Sequence, residues 1–357
     1  MRDSTTTPCV LFPELFDRPL TATFDVPNAS SDGGAVLLKA ADRRLGLMPR
    51  LAAALVEERQ RGKIRHGLED LLSQRIYALA LGEALFETVL ARHAKRRRKV
   101  RRITVDLDIT DDPTHGAQQL AFFNGFYDTW CYLPLLAFLT FDREPEQYLC
   151  AAVLRPGNAP TQRGALALLK RIVGRLQERF PRTRLRVRLD GGFADPELFE
   201  FLDTVGVDYV VAIAKNDVLE RAAELDLIVA RVLSDATGQT EQVYTDFPYA
   251  AGTWDRARRV VCKAEVVRLE GREPRLNQRF VVTNLKGKPR RIYERIYCPR
   301  GEIENRIKEL FDVAIDRTSC SQFRANQLRV LLAAAAYVLL QELRLAARGT
   351  AWARAQV

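Results

Sequence analysis

The chain lacks the cysteine and histidine patterns from which metal centres and disulfide frameworks are read. Its six cysteines fall at positions 9, 131, 150, 262, 298 and 320 with no C-x-x-C pair, and only three histidines are present. Neither a zinc site nor disulfide stapling is signalled, and the cysteines read as reduced, mostly buried thiols of a cytosolic protein. The opening MRDSTTTPCVLFPELF has no basic-then-apolar order, so no signal peptide is expected. The longest apolar run, 330–340, is too short to span a bilayer and ends at Gln341 and Glu342, which fits a buried core helix. Internal repeats and low-complexity tracts are absent. Acidic residues are in the minority: 55 Lys and Arg face 45 Asp and Glu, a formal net charge of +10. That balance favours a polyanionic partner, either nucleic acid or an anionic membrane surface.

At 357 residues and 47% apolar, the chain can bury a large core and holds two or three structural units. Residues 1–100 read as a mainly helical region with a short strand at 21–26 and helices over 37–45, 49–61, 68–81 and 83–95. The last leads into the basic run KRRRKVRR, which includes Arg96, Arg97 and Arg98. Such a run is either a solvated surface or a phosphate contact, and its place just before a strand carrying carboxylates favours the second.

From residue 102 the apolar period changes to two. Val105, Leu107 and Ile109 fall on one side of a strand, and Asp106, Asp108 and Thr110 on the other. A hairpin region over 122–141 and a strand at 147–154 follow. Then come a helix at 162–180, a strand at 185–189 ending in Asp190-Gly191-Gly192, a helix at 196–205 and a strand at 208–214. Three sequential strands followed by helix, strand, helix, strand suit a mixed sheet, antiparallel first and then parallel. A site is expected at strand ends where chain direction switches, bringing Asp108 and Asp190 together. Residues 238–296 are rich in strand pattern and read as an antiparallel insertion, after which helices resume at 299.

The stretch YCPRGEIENRIKEL, 297–310, carries Tyr297, Arg300, Glu304 and Lys308 at spacings of three, four and four, which share one face of a continuous helix. Ile303, Ile307 and Leu310 form the adjacent core stripe. A carboxylate beside a cation and a phenol suits holding a metal against a phosphodiester; a plain surface ion pair between Glu304 and Lys308 is the alternative. Acids on three separate elements are what two-metal phosphoryl transfer requires. Asp108 as a strand-end cap and Asp190 as a turn residue are the competing readings.

On the segments DLDITDDPTHGAQQLAFFNGFYDTWCYLPLL, RPGNAPTQRGAL, RLDGGFADPELFEFL and YCPRGEIENRIKEL, with a weaker match in SSDGGAVLLKAADRRLGL, the chain resembles the DDE-type insertion-sequence transposases. The resemblance is to insertion-sequence family thirteen-eighty, and it covers most of the chain from residue 101. It implies an α/β fold with an RNase H-like mixed sheet, a helical DNA-binding or assembly region at 1–100, core segments at 101–237 and 297–357, and a β-rich insertion at 238–296. It implies metal-dependent cleavage and strand transfer at terminal inverted repeats. Asp108, Asp190 and Glu304 would hold two Mg²⁺ ions, which Mn²⁺ can replace, with Asp106 the rival to Asp108. Tyr297, Arg300 and Lys308 would contact phosphate, and Trp254 is the candidate to stack on a flipped base, with a core position in the insertion as its competing reading. The family signature ends in lysine where this chain has Phe311. Double-stranded DNA, as transposon ends and target, is the implied partner of a homodimer in the bacterial cytoplasm, with no membrane role. The chain also reads as shortened at 81–83 and beyond 357, which keeps two rivals open: a silent DNA-binding regulator and a general RNase H-like nuclease.

Overall fold

In the computed structural model, residues 9–11, 20–22, 49–50, 86–87, 89–94 and 99–346 are described. The helices expected over 37–45 and 68–81, most of 49–61 and the basic residues Arg96, Arg97 and Arg98 lie outside them. A short antiparallel ribbon joins β1 (Cys9–Leu11) to β2 (Leu20–Ala22). From residue 102 the chain forms β3 (Arg102–Ile109), β4 (Asp112–Pro113), β5 (Phe122–Asn124), β6 (Thr129–Tyr132), β7 (Leu135–Phe141) and β8 (Tyr148–Val153). Next come α1 (Ala165–Arg179), β9 (Arg184–Leu189), α2 (Pro196–Thr204), β10 (Asp208–Ile213), α3 (Asp217–Ala222) and α4 (Glu224–Thr237). The remainder is β11 (Glu241–Tyr249), β12 (Arg258–Val267), β13 (Arg275–Thr283), α5 (Glu302–Asp312) and α6 (Phe323–Ala346). No described helix is long and apolar enough to cross a membrane.

Eight strands make one sheet in the order β11-β12-β13-β10-β9-β3-β7-β8, while β4, β6 and β5 form a small separate sheet. The β8-β7-β3 meander is antiparallel, and β9 and β10 continue it in parallel. This is the RNase H-like mixed sheet. The strand-rich segment 238–296 is antiparallel as expected, but it does not stand apart. β13 pairs with β10 from Val210↔Thr283 to Ile213↔Phe280, so the three strands extend the main sheet at its edge. Buried apolar residues on β12 and β13, including Val260 and Val282, leave no reason for a break there.

Strand alternation divides the sheet into two different faces. On one, Ile103, Val105 and Leu107 of β3 join Leu185, Val187 and Leu189 of β9 in a continuous apolar core covered by α1 and α2. α1 brings Ala165, Leu169, Ile172, Val173 and Leu176 to it, a helical stripe. α2 starts where Asp195 accepts from the amides of Glu197 and Leu198, with Pro196 in the first turn. The second face is apolar only at its flanks. Leu136 and Phe138 of β7 pack under α5 and α6, and Val210, Val261 and Val281 pack under Ile292 and Tyr293.

Between those flanks runs a polar stripe made by β3 and β9. Thr104, Asp106 and Asp108 alternate with the apolar residues of β3, and Arg186 and Arg188 with those of β9. Asp106 is fully buried there, which a lone carboxylate does not survive without partners. Arg188 meets it with two bonds, Nε to Oδ1 at 2.7 Å and a terminal nitrogen to Oδ2 at 2.6 Å. Gln147 donates to Oδ2 at 3.1 Å, and Arg188 donates its remaining terminal nitrogen to Ile296 O at 3.0 Å. Asp106→Ala would leave Arg188 buried without its carboxylate, a cost of about 3–5 kcal/mol. Urea unfolding is expected to show a loss of that size; a loss below about 1 kcal/mol would remove the pair from the account of how the stripe is ordered.

Candidate active site

At the carboxyl ends of the parallel strands, the stripe closes on two aspartates. β3 and β9 pair from Arg102↔Arg184 to Asp106↔Arg188, so one more step along each strand face sets Asp108 level with Asp190. A single terminal nitrogen of Arg300 bridges them, 3.0 Å from Asp108 Oδ1 and 3.3 Å from Asp190 Oδ2. The same nitrogen donates to Leu107 O at 3.3 Å.

Local chemistry fixes both carboxylates. Asp108 Oδ1 accepts from the Ile109 amide at 3.0 Å. Asp190 caps the single turn Gly191–Phe193, its Oδ1 accepting from the Gly192 amide at 2.9 Å. A Cβ on Gly192 would fall 2.6 Å from Thr161 Cγ2, so the second glycine of the Asp-Gly-Gly sequence is required by close approach of the 155–164 loop. Arg155 holds that loop: Nε donates to Leu133 O, and a terminal nitrogen donates to the carbonyls of Pro160, Thr161 and Arg163. The RPGNAPTQRGAL segment thus supports the Asp190 turn.

The stretch 297–310 is not the continuous helix that the spacing predicts. Ile292–Tyr297 is π-helical, Cys298–Gly301 is a 3-10 turn, and α5 begins only at Glu302. Pro299 has no amide to donate and sits where the helix type changes. The altered winding turns Arg300 inward, where it is buried, while Glu304 and Lys308 of α5 remain exposed. Tyr297 is half-buried against Tyr293, ring centroids 5.6 Å apart, with its phenol pushed up by burial, opposed by Arg300 and reinforced by Asp190. Phe311, in place of the signature lysine, packs on the second core. Among the described residues, no three His, Cys, Asp or Glu side chains lie close enough to hold a metal ion. Asp108 and Asp190 are together; Glu304 stands on the neighbouring helix outside the pair.

Asp106 is already spent on Arg188 and Gln147, whereas Asp108 Oδ1 faces Arg300 at the stripe's open end. Trp254 stands among core rings. It packs edge-on against Phe199 and Tyr249, 5.4 Å from each ring centroid, and beneath Arg258. That cluster belongs to the α2-covered face, opposite the aspartates, because the β11–β12 turn folds back over the first core.

Aromatic rings do stand beside the site, on the hairpin of β5 and β6. Phe123, Phe126 and Trp130 of the β5–β6 hairpin are 51%, 88% and 57% exposed. Tyr127 beside them is pushed up to about 12 by burial and by the charges of Asp111 and Asp108, which places it in the aspartates' field. The hairpin is anchored, since Asn124 donates to Gly157 O at 2.9 Å. A Cβ on Gly157 would strike Cys131 O. The signal for this site in the sequence is the run of aromatics from Phe122 to Trp130 directly after the Asp108 strand.

A family description, transposase DDE domain group 1, fits residues 12–89 and 82–357. The chain belongs to the DDE transposases. Among solved structures it is similar to a piggyBac transposase synaptic complex with hairpin DNA, at 10% identity and a TM-score of 0.41 over 92% of this chain and 70% of that one. It is also similar to a Mos1 transposase paired-end complex with the left transposon end, at 14% identity and 0.21 over 53% and 60%. A pre-cleavage Mos1 transpososome matches at 12% and 0.21 over 51% and 54%. No curated protein matches the chain.

Burial, partly opposed by Arg300, raises Asp108 to about 6 from 3.8. Burial, partly opposed by Thr318, raises Asp112 to about 7. The unfolded carboxyls lose their protons first, so across this window the folded chain binds more protons, and each raised carboxyl subtracts stability as pH rises from about 4 to about 7. Melting midpoints are expected to fall over that interval, and Asp108→Asn and Asp112→Asn should each flatten the slope. An unchanged slope in both variants would contradict the assignment.

Proposed function

We propose that this transposase, a member of insertion-sequence family thirteen-eighty, binds the terminal inverted repeats of its own element. In this reading it hydrolyses one phosphodiester at each end and joins the freed 3′-hydroxyl to target DNA. The observation that carries the reading is the pair Asp108 and Asp190, set level by strand register and bridged by Arg300. The donor set fits a hard divalent cation, because two carboxylates already share one positive charge in a partly desolvated groove. Asp108, Asp190 and Glu304 would hold two Mg²⁺ ions, replaceable by Mn²⁺, whose charge would supply water activation and leaving-group stabilisation there.

The chain's own groups supply the rest. Arg300 keeps the aspartates from repelling each other, and its buried Nε, unpartnered among the described residues, is a donor for a phosphate oxygen. Tyr297 walls the groove next to it, and exposed Lys308 and the basic residues Arg96, Arg97 and Arg98 add backbone affinity that weakens with salt. The exposed rings of Phe126 and Trp130 replace Trp254 as the surface on which a base stacks. The exposure of Glu304 also keeps the silent-regulator reading in play.

Nicking of DNA carrying the element's ends separates the readings. With Mg²⁺ the unmodified chain is expected to nick, and Asp108→Asn, Asp190→Asn or Glu304→Gln should each lower the rate by roughly a thousandfold. Phe126→Ala combined with Trp130→Ala should weaken binding of end DNA about tenfold and leave divalent-cation binding unchanged. DNA binding without any nicking would make the chain a regulator, and nicking indifferent to end sequence would make it a general nuclease.

A homodimer on DNA in the bacterial cytoplasm completes the proposal. Leu225, Ile228, Val229, Val232 and Leu233 of α4 form a helical stripe, every member at least 43% exposed, of the kind a second copy covers. Sedimentation of the DNA complex is expected to give two chains, and Val232→Glu one; two chains with the variant would remove α4 from the interface.

A further inference from the structure

The polar stripe has a second end, away from the aspartates. There β3 and β9 set Thr104 beside Arg186, and a cavity of about 830 Å³ opens over them. Nine lysine and arginine side chains line it against four carboxylates. One of those carboxylates, Asp142, is occupied by the backbone amides of Arg101 and Arg102. So strong an excess of positive charge is costly in a recess unless a counter-charge enters.

The cavity also holds polar atoms whose partners are missing. Arg186 is 8% exposed, and its Nε has no hydrogen-bond partner among the described residues. Its one ion contact among the described residues, Asp208, stands at 4.0 Å, the outer limit for a pair. Thr140 Oγ1 and Gln147 Oε1, which line the same cavity, are buried and unpartnered as well. A buried guanidinium with an unused N–H, on the same sheet face as an unused hydroxyl and separated from it by Thr104, is a prepared site for an oxyanion, and Gln147 Oε1 suits a ligand oxygen that carries a proton. Arg291 and Arg295 are exposed at the mouth.

We propose that this cavity binds a ligand bearing at least two phosphate groups, one held by Arg186 and Thr140 and the next by Arg291 and Arg295. DNA backbone and free polyphosphate share this chemistry. Arg186 lies four residues before Asp190 on the same strand path, about 13 Å at roughly 3.3 Å per residue. The proposal does not rest on the aspartates being catalytic, and it is tested without metal or cleavage.

Calorimetric titration of the full chain with tripolyphosphate, in chelator and at physiological salt, is the test. One site per chain is expected. Arg186→Met should weaken it at least tenfold and, because it removes a buried charge whose described partner stands 4.0 Å away, raise the melting midpoint of the ligand-free protein. Arg291→Glu with Arg295→Glu, both exposed, should weaken binding similarly without moving that midpoint. Absence of binding by the unmodified chain, or equal binding by both variants, overturns the proposal. Displacement of tripolyphosphate by a short duplex assigns the cavity to the DNA path, and simultaneous binding assigns it to free polyphosphate.

Discussion

The parallel register of β3 and β9 is the constraint from which the rest of the molecule follows. Once Asp106 is opposite Arg188, the two-residue period of a strand fixes what lies on either side: Asp108 level with Asp190 in one direction, Thr104 beside Arg186 in the other. A slip of one residue would send the aspartates into the apolar core and the valines into the groove. The Asp106–Arg188 pair resists that slip, because it is buried, doubly bonded and further tied to Gln147 and Ile296. The pair therefore acts as a register lock between an acidic end and a basic end of one stripe.

Arg300 depends on that stripe and on a break in regular winding. A straight α-helix through 297–310 would have lined it up with Glu304 and Lys308 on the surface. The π-helical turn and the 3-10 turn around Pro299 instead send it down to the aspartates while Ile303, Ile307 and Leu310 hold α5 on the second core. Irregular helical turns of this kind gather at functional positions. Two carboxylates sharing one guanidinium tolerate each other's charge, and the raised proton affinity of Asp108 marks how far burial works against it.

Much of this was legible in the sequence because strand and helix periods are local. The alternation in 103–110, the capped helix at 196 and the strand at 208–213 needed no tertiary information. The pairing of β13 with β10 was not legible, since which strand accepts a β-rich segment depends on exposed edges that a sequence does not show. The helices α3 and α4 were not legible, because only Ala230 and Ser234 of α4 are buried and its larger apolar residues face outward. For Trp254 the resemblance and the core reading could not be separated from the sequence, because only the folded turn sets it against Phe199 and the first core. The burial of Arg300 was hidden by the expectation of a single helix, and that of Arg186 and Arg188 because strand alternation does not say whether a polar face is solvated or covered. The carboxylates were named from their strand-end positions together with the family resemblance, since a cap or a turn explains either one alone.

The central claim is that Asp108 and Asp190 form a cation site for which Arg300 is the stand-in. Anomalous scattering from crystals of the full chain soaked in Mn²⁺ tests this most directly. The account predicts a manganese peak within coordination distance of both aspartates, with Arg300 withdrawn from at least one of them. A peak elsewhere, with Arg300 still bridging the two carboxylates, would contradict it.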